Sequence, residues 1–105
     1  MGRLRLNIEK ITNENDKFRK ILFTNESIQL AIMSLEKQED IGMEKHNGIT
    51  QFVRVESGSG TASISGKKYR LKKGDSIIIG PDTYHNIKAG NKGMKLYTIY
   101  SPPAH

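Results

Sequence analysis

Gly74-Asp75-Ser76-Ile77-Ile78-Ile79-Gly80-Pro81-Asp82-Thr83-Tyr84-His85-Asn86 spells out a strand, a turn and the opening of a second strand. Ser76 to Ile79 is a strand-sized run of β-branched residues, which suit a pleated, half-buried surface. Gly80-Pro81 ends it, because proline fixes φ and removes the N–H that a ladder needs. Tyr84 to Lys88 then resumes a strand pattern with His85 at its start. Working outward, the dominant period is two. Ile28, Leu30 and Ile32 alternate with Gln29, Ala31 and Met33, and Val53 and Val55 alternate with Arg54 and Glu56, as strands do. Ser63 to Ser65 and Lys67 to Leu71 flank Gly66 as a hairpin, with Tyr69 and Leu71 as its buried partners, and Met94 to Tyr100 adds a further strand. Turn signals fall at Gly58-Ser59-Gly60, Lys73-Gly74-Asp75, Gly80-Pro81-Asp82 and Gly90-Asn91-Lys92-Gly93. Short strands spaced this way predict an all-β sandwich or barrel. The helix expected is Asn13 to Lys20, capped by Asn13. Gly58, Gly60, Gly66 and Gly74 are read as turns needing positive φ rather than as a phosphate cradle.

The chain has 105 residues, 35% of them hydrophobic and 27% charged, with neither cysteine nor tryptophan. That length predicts one domain over 1–105. Without cysteine there are no disulfides, thiolate nucleophiles or Cys-based zinc sites. No window approaches the length of a membrane span, and Met1 to Lys10 is charged with no apolar region after it, so a cytoplasmic protein without a membrane partner is expected. The net charge is +6, yet the basic residues are scattered from Arg3 to Lys95. The densest run, Lys67 to Lys73, reads as the solvent face of a strand. Nucleic acid is therefore not expected as a partner, whereas anionic small molecules could be attracted.

The chemistry gathers in two segments. In Gly42-Met43-Glu44-Lys45-His46-Asn47-Gly48-Ile49-Thr50-Gln51, Glu44 and His46 lie two apart and share a strand face. Asn47 to Thr50 returns the chain and leaves Gln51 near the start of the next strand. With His85 from the opening segment, two imidazoles, a carboxylate and an amide oxygen could converge, a donor set that suits a divalent transition metal. Lys45 should point away from the Glu44/His46 face and Asp82 lies in a turn, so no general base is evident. Tyr84, Tyr97 and Tyr100 are read as barrel-packing or interface residues, Arg54–Glu56 as a solvent or dimer-contact pair, and His105 as a disordered or tag-derived terminal residue.

The two segments resemble the paired motifs of the cupin superfamily, the double-stranded β-helix or jelly-roll barrels. The first motif is His-x-His, three or four residues, Glu, six residues, Gly. Gly58 follows Gln51 by that interval, so Gln51 takes the Glu position, His46 the second His and Glu44 the first. The second motif is Gly, five residues, Pro-x-Gly, two residues, His. Gly74 and His85 match it, while Gly80 stands at the Pro position and Asp82 at the Gly position. The set Glu44, His46, Gln51 and His85 is similar to the zinc site of cupin-type mannose-6-phosphate isomerases, with Gln and Glu in the opposite order. The resemblance covers about 28–103, with N-terminal strands at about 4–23 (Leu4 to Ile8 and Phe18 to Phe23).

That resemblance implies a divalent transition metal (zinc, nickel, manganese or iron) and an isomerase-like cupin: an isomerase or dioxygenase acting on a sugar or small oxygenated acid. It also implies a homodimer, with the N-terminal strands crossing to a second subunit. Two alternatives stand beside it. One is a non-catalytic cupin that binds a sugar or other small polar ligand. The other is a structural dimeric barrel filled by Met33, Met43, Phe52 and Met94. A fold that hosts many chemistries does not choose among these.

Overall fold

The structure is a computed structural model describing residues 5–104. One helix, α1 (Ile8–Glu14), precedes six strands: β1 (Lys20–Thr24), β2 (Gln29–Leu35), β3 (Thr50–Ile64), β4 (Lys67–Lys72), β5 (Ser76–Ile79) and β6 (His85–Ser101). They pair antiparallel in the order β1-β2-β6-β3-β4, with β5 added to β3. The expected all-β, jelly-roll class is the observed one.

Two strands organise everything else. β3 and β6 run antiparallel from Thr50↔Ser101 to Ile64↔His85, so each serves both halves of the barrel. The glycine clusters read as turns at Gly58-Ser59-Gly60 and Gly90-Asn91-Lys92-Gly93 lie inside these strands. The ladder instead shifts register between Val55 and Ser57 and again between Gly58 and Gly60, which bends the strands without ending them. Gly58 has φ +79, and a Cβ on it would run into the carbonyl oxygen of Gly93. Gly60 has no positive φ; its lack of a side chain makes room for the Lys88 carbonyl. The turn at Gly66 is as expected: Ser65 (φ 49) and Gly66 (φ 82) form the two-residue connection between β3 and β4, the hairpin geometry that requires two positive φ values.

The N-terminal segment differs from expectation. Asn7, not Asn13, caps the helix, its Oδ1 accepting a hydrogen bond from the Lys10 amide at 3.1 Å. The residues after Glu14 are held by other bonds. The Asn15 side chain exchanges hydrogen bonds with the Lys17 backbone (2.8 and 3.1 Å), and Lys95 Nζ donates to the carbonyls of Asn13 and Asn15 at 3.1 and 2.6 Å. These contacts stop the helix where the sequence expectation began it. Of the expected Leu4 to Ile8 strand, Leu4 lies outside the described residues and Ile8 begins α1; the second N-terminal strand is present as β1. His105 also lies outside the described residues.

The core comprises Met33, Leu35, Val53, Val55, Ala62, Leu71, Ile79, Ile87, Ala89, Met94 and Leu96. Each large side chain among them contributes about 1.5–3 kcal/mol by leaving water. On β2 the inward face carries Gln29, Ala31, Met33 and Leu35, while Ile28 is exposed. Of the four residues expected to fill the barrel, Met33 and Met94 are buried. Met43 is 63% exposed, and Phe52 sits half-buried beside Tyr97, ring centroids 6.3 Å apart. Leu71 is buried as expected, whereas Tyr69 is exposed beneath Lys67. Arg54 Nε lies 3.8 Å from Glu56 Oε2, but Glu56 is buried, so the two are not a solvent pair. Phe18, Ile21 and Phe23 are exposed along the edge strand β1 and the residues leading into it.

Candidate metal centre

The approach of the two sequence segments begins with backbone. Glu44 and His85 form an isolated antiparallel bridge: the Glu44 amide donates to the His85 carbonyl (2.8 Å) and the His85 amide to the Glu44 carbonyl (2.9 Å). Residues that exchange both bonds sit directly opposite, with side chains on one face. His46 is brought in by the loop after β5. There the Asp82 amide donates to the His46 carbonyl (3.0 Å), and the Gly48 amide donates to Asp82 Oδ1 (3.2 Å). Asp82 has φ 60. Aspartate is among the few non-glycine residues that adopt this left-handed conformation readily, which explains why it can occupy a position where the motif has glycine.

The side chains then converge. Glu44 Oε1 lies 3.5 Å from His46 Nε2 and 3.8 Å from His85 Nε2, and the donor atoms of the three residues all fall within 4.8 Å of one another. The His85 side chain is 3% exposed, His46 17% and Glu44 34%, so the cluster runs from the barrel interior towards solvent. His85 Nδ1 lies 2.9 Å from the Thr83 carbonyl oxygen. A carbonyl only accepts, so Nδ1 carries the proton and Nε2 presents a lone pair. That tautomer is the one a metal-binding histidine needs. His85 Nε2 is buried without a hydrogen-bond partner among the described residues.

Gln51 is buried on β3, opposite Tyr100 in the β3–β6 ladder. Its Nε2 donates to Thr98 Oγ1 at 2.9 Å, and its Oε1 is buried without a hydrogen-bond partner among the described residues. The amide is thus oriented with its acceptor oxygen unspent. Unmatched buried lone pairs at both Gln51 and His85 leave polar desolvation uncompensated, and a cation is the species that two such acceptors suit. The donor set fits a divalent transition ion. Lys45 turns away as expected, its Nζ lying 5.0 Å from the centre of the Tyr84 ring.

Two further residues line this region. The Tyr100 ring meets His46 edge-on at 5.4 Å, and the Arg19 guanidinium carbon is 5.5 Å from the centre of the same ring. The sequence alone reads Tyr100 as a packing or interface residue. Burial pushes its phenol above the usual tyrosine value of 10.0; Arg19 opposes this, the Glu44 carboxylate adds to it, and a hydrogen bond with Thr98 opposes it. The phenol is therefore neutral at physiological pH and available as a proton donor. Because the folded-state value is raised, the native protein holds this proton more tightly than the unfolded chain. Stability is unaffected below about pH 10 and falls as pH rises above it. A 295 nm titration, taken as the difference between wild type and Tyr100→Phe, should show the phenol ionising above pH 10; ionisation below that value would contradict this placement. No local sequence signal marks Tyr100 or Arg19, since both reach the site only through pairing of distant strands. A cleft of about 600 Å³ elsewhere, lined in part by Ser59, Thr61, Arg70 and Asp75, shares no residue with this cluster.

Residues 31–100 match the family model described as "Cupin domain". The chain is 41% identical over 107 residues to the uncharacterized protein YrkC of Bacillus subtilis, covering 95% of this chain and 58% of that protein. It is 37% identical over 106 residues to an uncharacterized protein of Acanthamoeba polyphaga mimivirus, covering 95% of this chain and 66% of that one. The chain thus spans less than two thirds of the length of either relative. The crystal structure of BH2720 from Bacillus halodurans superposes with a TM-score of 0.94 at 37% identity, over 97% of this chain and 83% of that one. KdgF from a Halomonas species (TM-score 0.76, 21% identity, 80% and 76% coverage) and a predicted oxalate decarboxylase from Thermotoga maritima (0.75, 22%, 80% and 78%) share the fold. None of the described helices is long and apolar enough to cross a membrane. With the barrel, the paired hairpin motifs and a family match over residues 31–100 in agreement, this chain belongs to the cupin family.

Proposed function

We propose that the protein is a small metal-binding cupin in which Glu44, His46 and His85, with Gln51 as a fourth donor, hold a divalent transition metal ion, and that it acts as an isomerase or dioxygenase on a sugar or small oxygenated acid. One observation carries the reading. The donor atoms of Glu44, His46 and His85 lie within 4.8 Å of one another, with His85 fixed by Thr83 in the tautomer that offers Nε2. Zinc, nickel, manganese and iron all fit such a mixed nitrogen and oxygen set.

The chain's own contributions follow from the geometry. Glu44 supplies the negative charge, the two imidazoles coordinate as neutral groups, and the bond from Gln51 Nε2 to Thr98 leaves Oε1 as the unspent acceptor of the amide. When bound, the ion would polarise a ligand oxygen or lower the pKa of a water. Tyr100, held neutral by burial, can donate a hydrogen bond to developing negative charge on the ligand. A second reading, binding of a sugar or similar ligand without turnover, draws support from Lys45, whose Nζ lies against the Tyr84 ring instead of serving the cluster as a base.

Ion binding to the native state alone stabilises it by mass action. At an ion concentration about 100 times the dissociation constant, the gain is about 2.7 kcal/mol, enough to raise the melting temperature by roughly 10 °C or more for a domain of this size. Differential scanning fluorimetry with zinc, nickel, manganese and ferrous ions should show this rise with at least one of them, and a chelator should reverse it. No stabilisation by any of the four would contradict the metal reading. Retention of ligand binding and turnover in fully chelated protein would contradict metal-dependent catalysis.

A further inference from the structure

Arg19 lies immediately before β1 and is half-buried, with its guanidinium carbon 5.5 Å from the centre of the Tyr100 ring. Its Nη2 is buried and donates to no acceptor among the described residues. Guanidinium is permanently charged and presents its N–H groups as a rigid fork, so a buried donor left unmatched keeps its full desolvation cost. The ring offsets part of that cost by cation–π attraction; it supplies no acceptor for Nη2. Glu44 does not supply one either, its Oε1 being directed at His46 and His85, 3.5 and 3.8 Å from their Nε2 atoms. The Tyr100 ring that Arg19 faces also meets His46, at 5.4 Å. The guanidinium therefore lies beside the metal cluster, with Nη2 unmatched among the described residues.

We propose that Arg19 is the anion receptor of this site, taking the carboxylate of a small 2-oxygenated acid whose adjacent oxygen turns towards Glu44, His46 and His85. A planar carboxylate matches the guanidinium fork and satisfies the unspent Nη2 donor. Charge agrees: a divalent ion opposed by Glu44 leaves a net charge of about +1, to which Arg19 adds another. An acid that offers both a carboxylate and an electron-rich oxygen answers both charges, and a neutral sugar answers neither. Lys45, the nearest cation in sequence to the cluster, is turned to Tyr84 and does not compete for this role. The inference deepens the proposed function by choosing acid over sugar. It depends on that reading for the second oxygen, while the carboxylate contact depends on Arg19 alone.

The test uses glycolate and its uncharged isostere glycolamide, titrated into metal-free and zinc-loaded protein and followed by the Arg19 Nε–H resonance in proton–nitrogen NMR. Glycolate should shift that resonance, and glycolamide should bind at least about tenfold more weakly, as losing a charged hydrogen bond implies. Arg19→Gln should lose glycolate affinity by at least about tenfold with zinc stoichiometry unchanged. Arg19→Lys, which keeps the charge without the fork, should fall between, and it provides the comparison if the glutamine variant is poorly folded. Equal glycolate affinity in wild type and both variants would overturn the proposal, as would equal affinity for the two ligands or no shift of the Arg19 signal in either form. Failure of wild type to bind zinc, nickel, manganese or ferrous ions, with the Arg19 response intact in metal-free protein, would overturn the metal reading and uphold the carboxylate contact.

Discussion

Replacing His46 and His85 together with alanine is expected to reduce affinity for divalent transition ions by at least about 100-fold, while the barrel persists. Loss of a residue that merely supports a metal ligand typically costs 10–100-fold; here the ligands themselves are removed. The fold should survive because the alignment of Glu44 with His85 rests on paired backbone bonds at 2.8 and 2.9 Å, which alanine keeps. Neither residue belongs to the hydrophobic core cluster. Isothermal titration would measure the loss, and circular dichroism would show that strand content is retained. Binding in the double variant as tight as in wild type would place the metal elsewhere.

The largest effect on stability is expected from one methyl group. Gly58→Ala places a Cβ against the carbonyl oxygen of Gly93 in a backbone with φ +79, so conformational strain and a backbone clash add together. The expected cost is about 3–5 kcal/mol, a severe loss for a domain whose total stability is on the order of 5–15 kcal/mol. Gly74→Ala is the control. It has φ +92 but nothing within 4 Å of an added Cβ, and should cost only about 1 kcal/mol for the left-handed conformation. Chemical denaturation of the two variants separates the contributions. Equal losses would mean that φ alone matters at Gly58 and that the close crossing of β3 and β6 does not constrain the sequence.

The same glycine marks where the sequence could and could not be read. Gly66 gives a turn because it lies in a two-residue connection, and Gly74 sits between β4 and β5 as expected. Gly58, Gly60, Gly90 and Gly93 give the same local signal, yet they lie within β3 and β6, where Gly58 and Gly60 admit a crossing carbonyl. Glycine marks positive φ and close backbone approach alike, and only long-range pairing distinguishes them. The helix bounds differ from expectation for a related reason: Asn7 and Asn13 can each cap a helix, and Lys95, far away in the chain, binds the carbonyls of Asn13 and Asn15. Met43 shows the limit of polarity as a guide, since a lone apolar residue next to Glu44 is exposed rather than core.

The site was legible to a different depth. Glu44 and His46 share a strand face, and His85 follows a Gly-Pro turn; the motif spacing by itself brings the three together. Gln51 follows from the same spacing, although its orientation depends on Thr98, a neighbour across the β3–β6 ladder. Tyr100 and Arg19 carried no such mark. Tyr100 lies in an apolar strand where a tyrosine usually means packing, and Arg19 is one of 17 basic residues in the chain. Their importance comes from what stands beside them: a histidine at 5.4 Å and a ring at 5.5 Å.

Metal content is the most direct test of the central claim. Elemental mass spectrometry on protein purified without chelator, and again after incubation with excess divalent ions, should find about one equivalent of zinc, nickel, manganese or iron per chain in wild type and none in the His46→Ala/His85→Ala variant. Absence of metal from wild type even after incubation, or equal content in the variant, would contradict a metal centre at Glu44, His46 and His85.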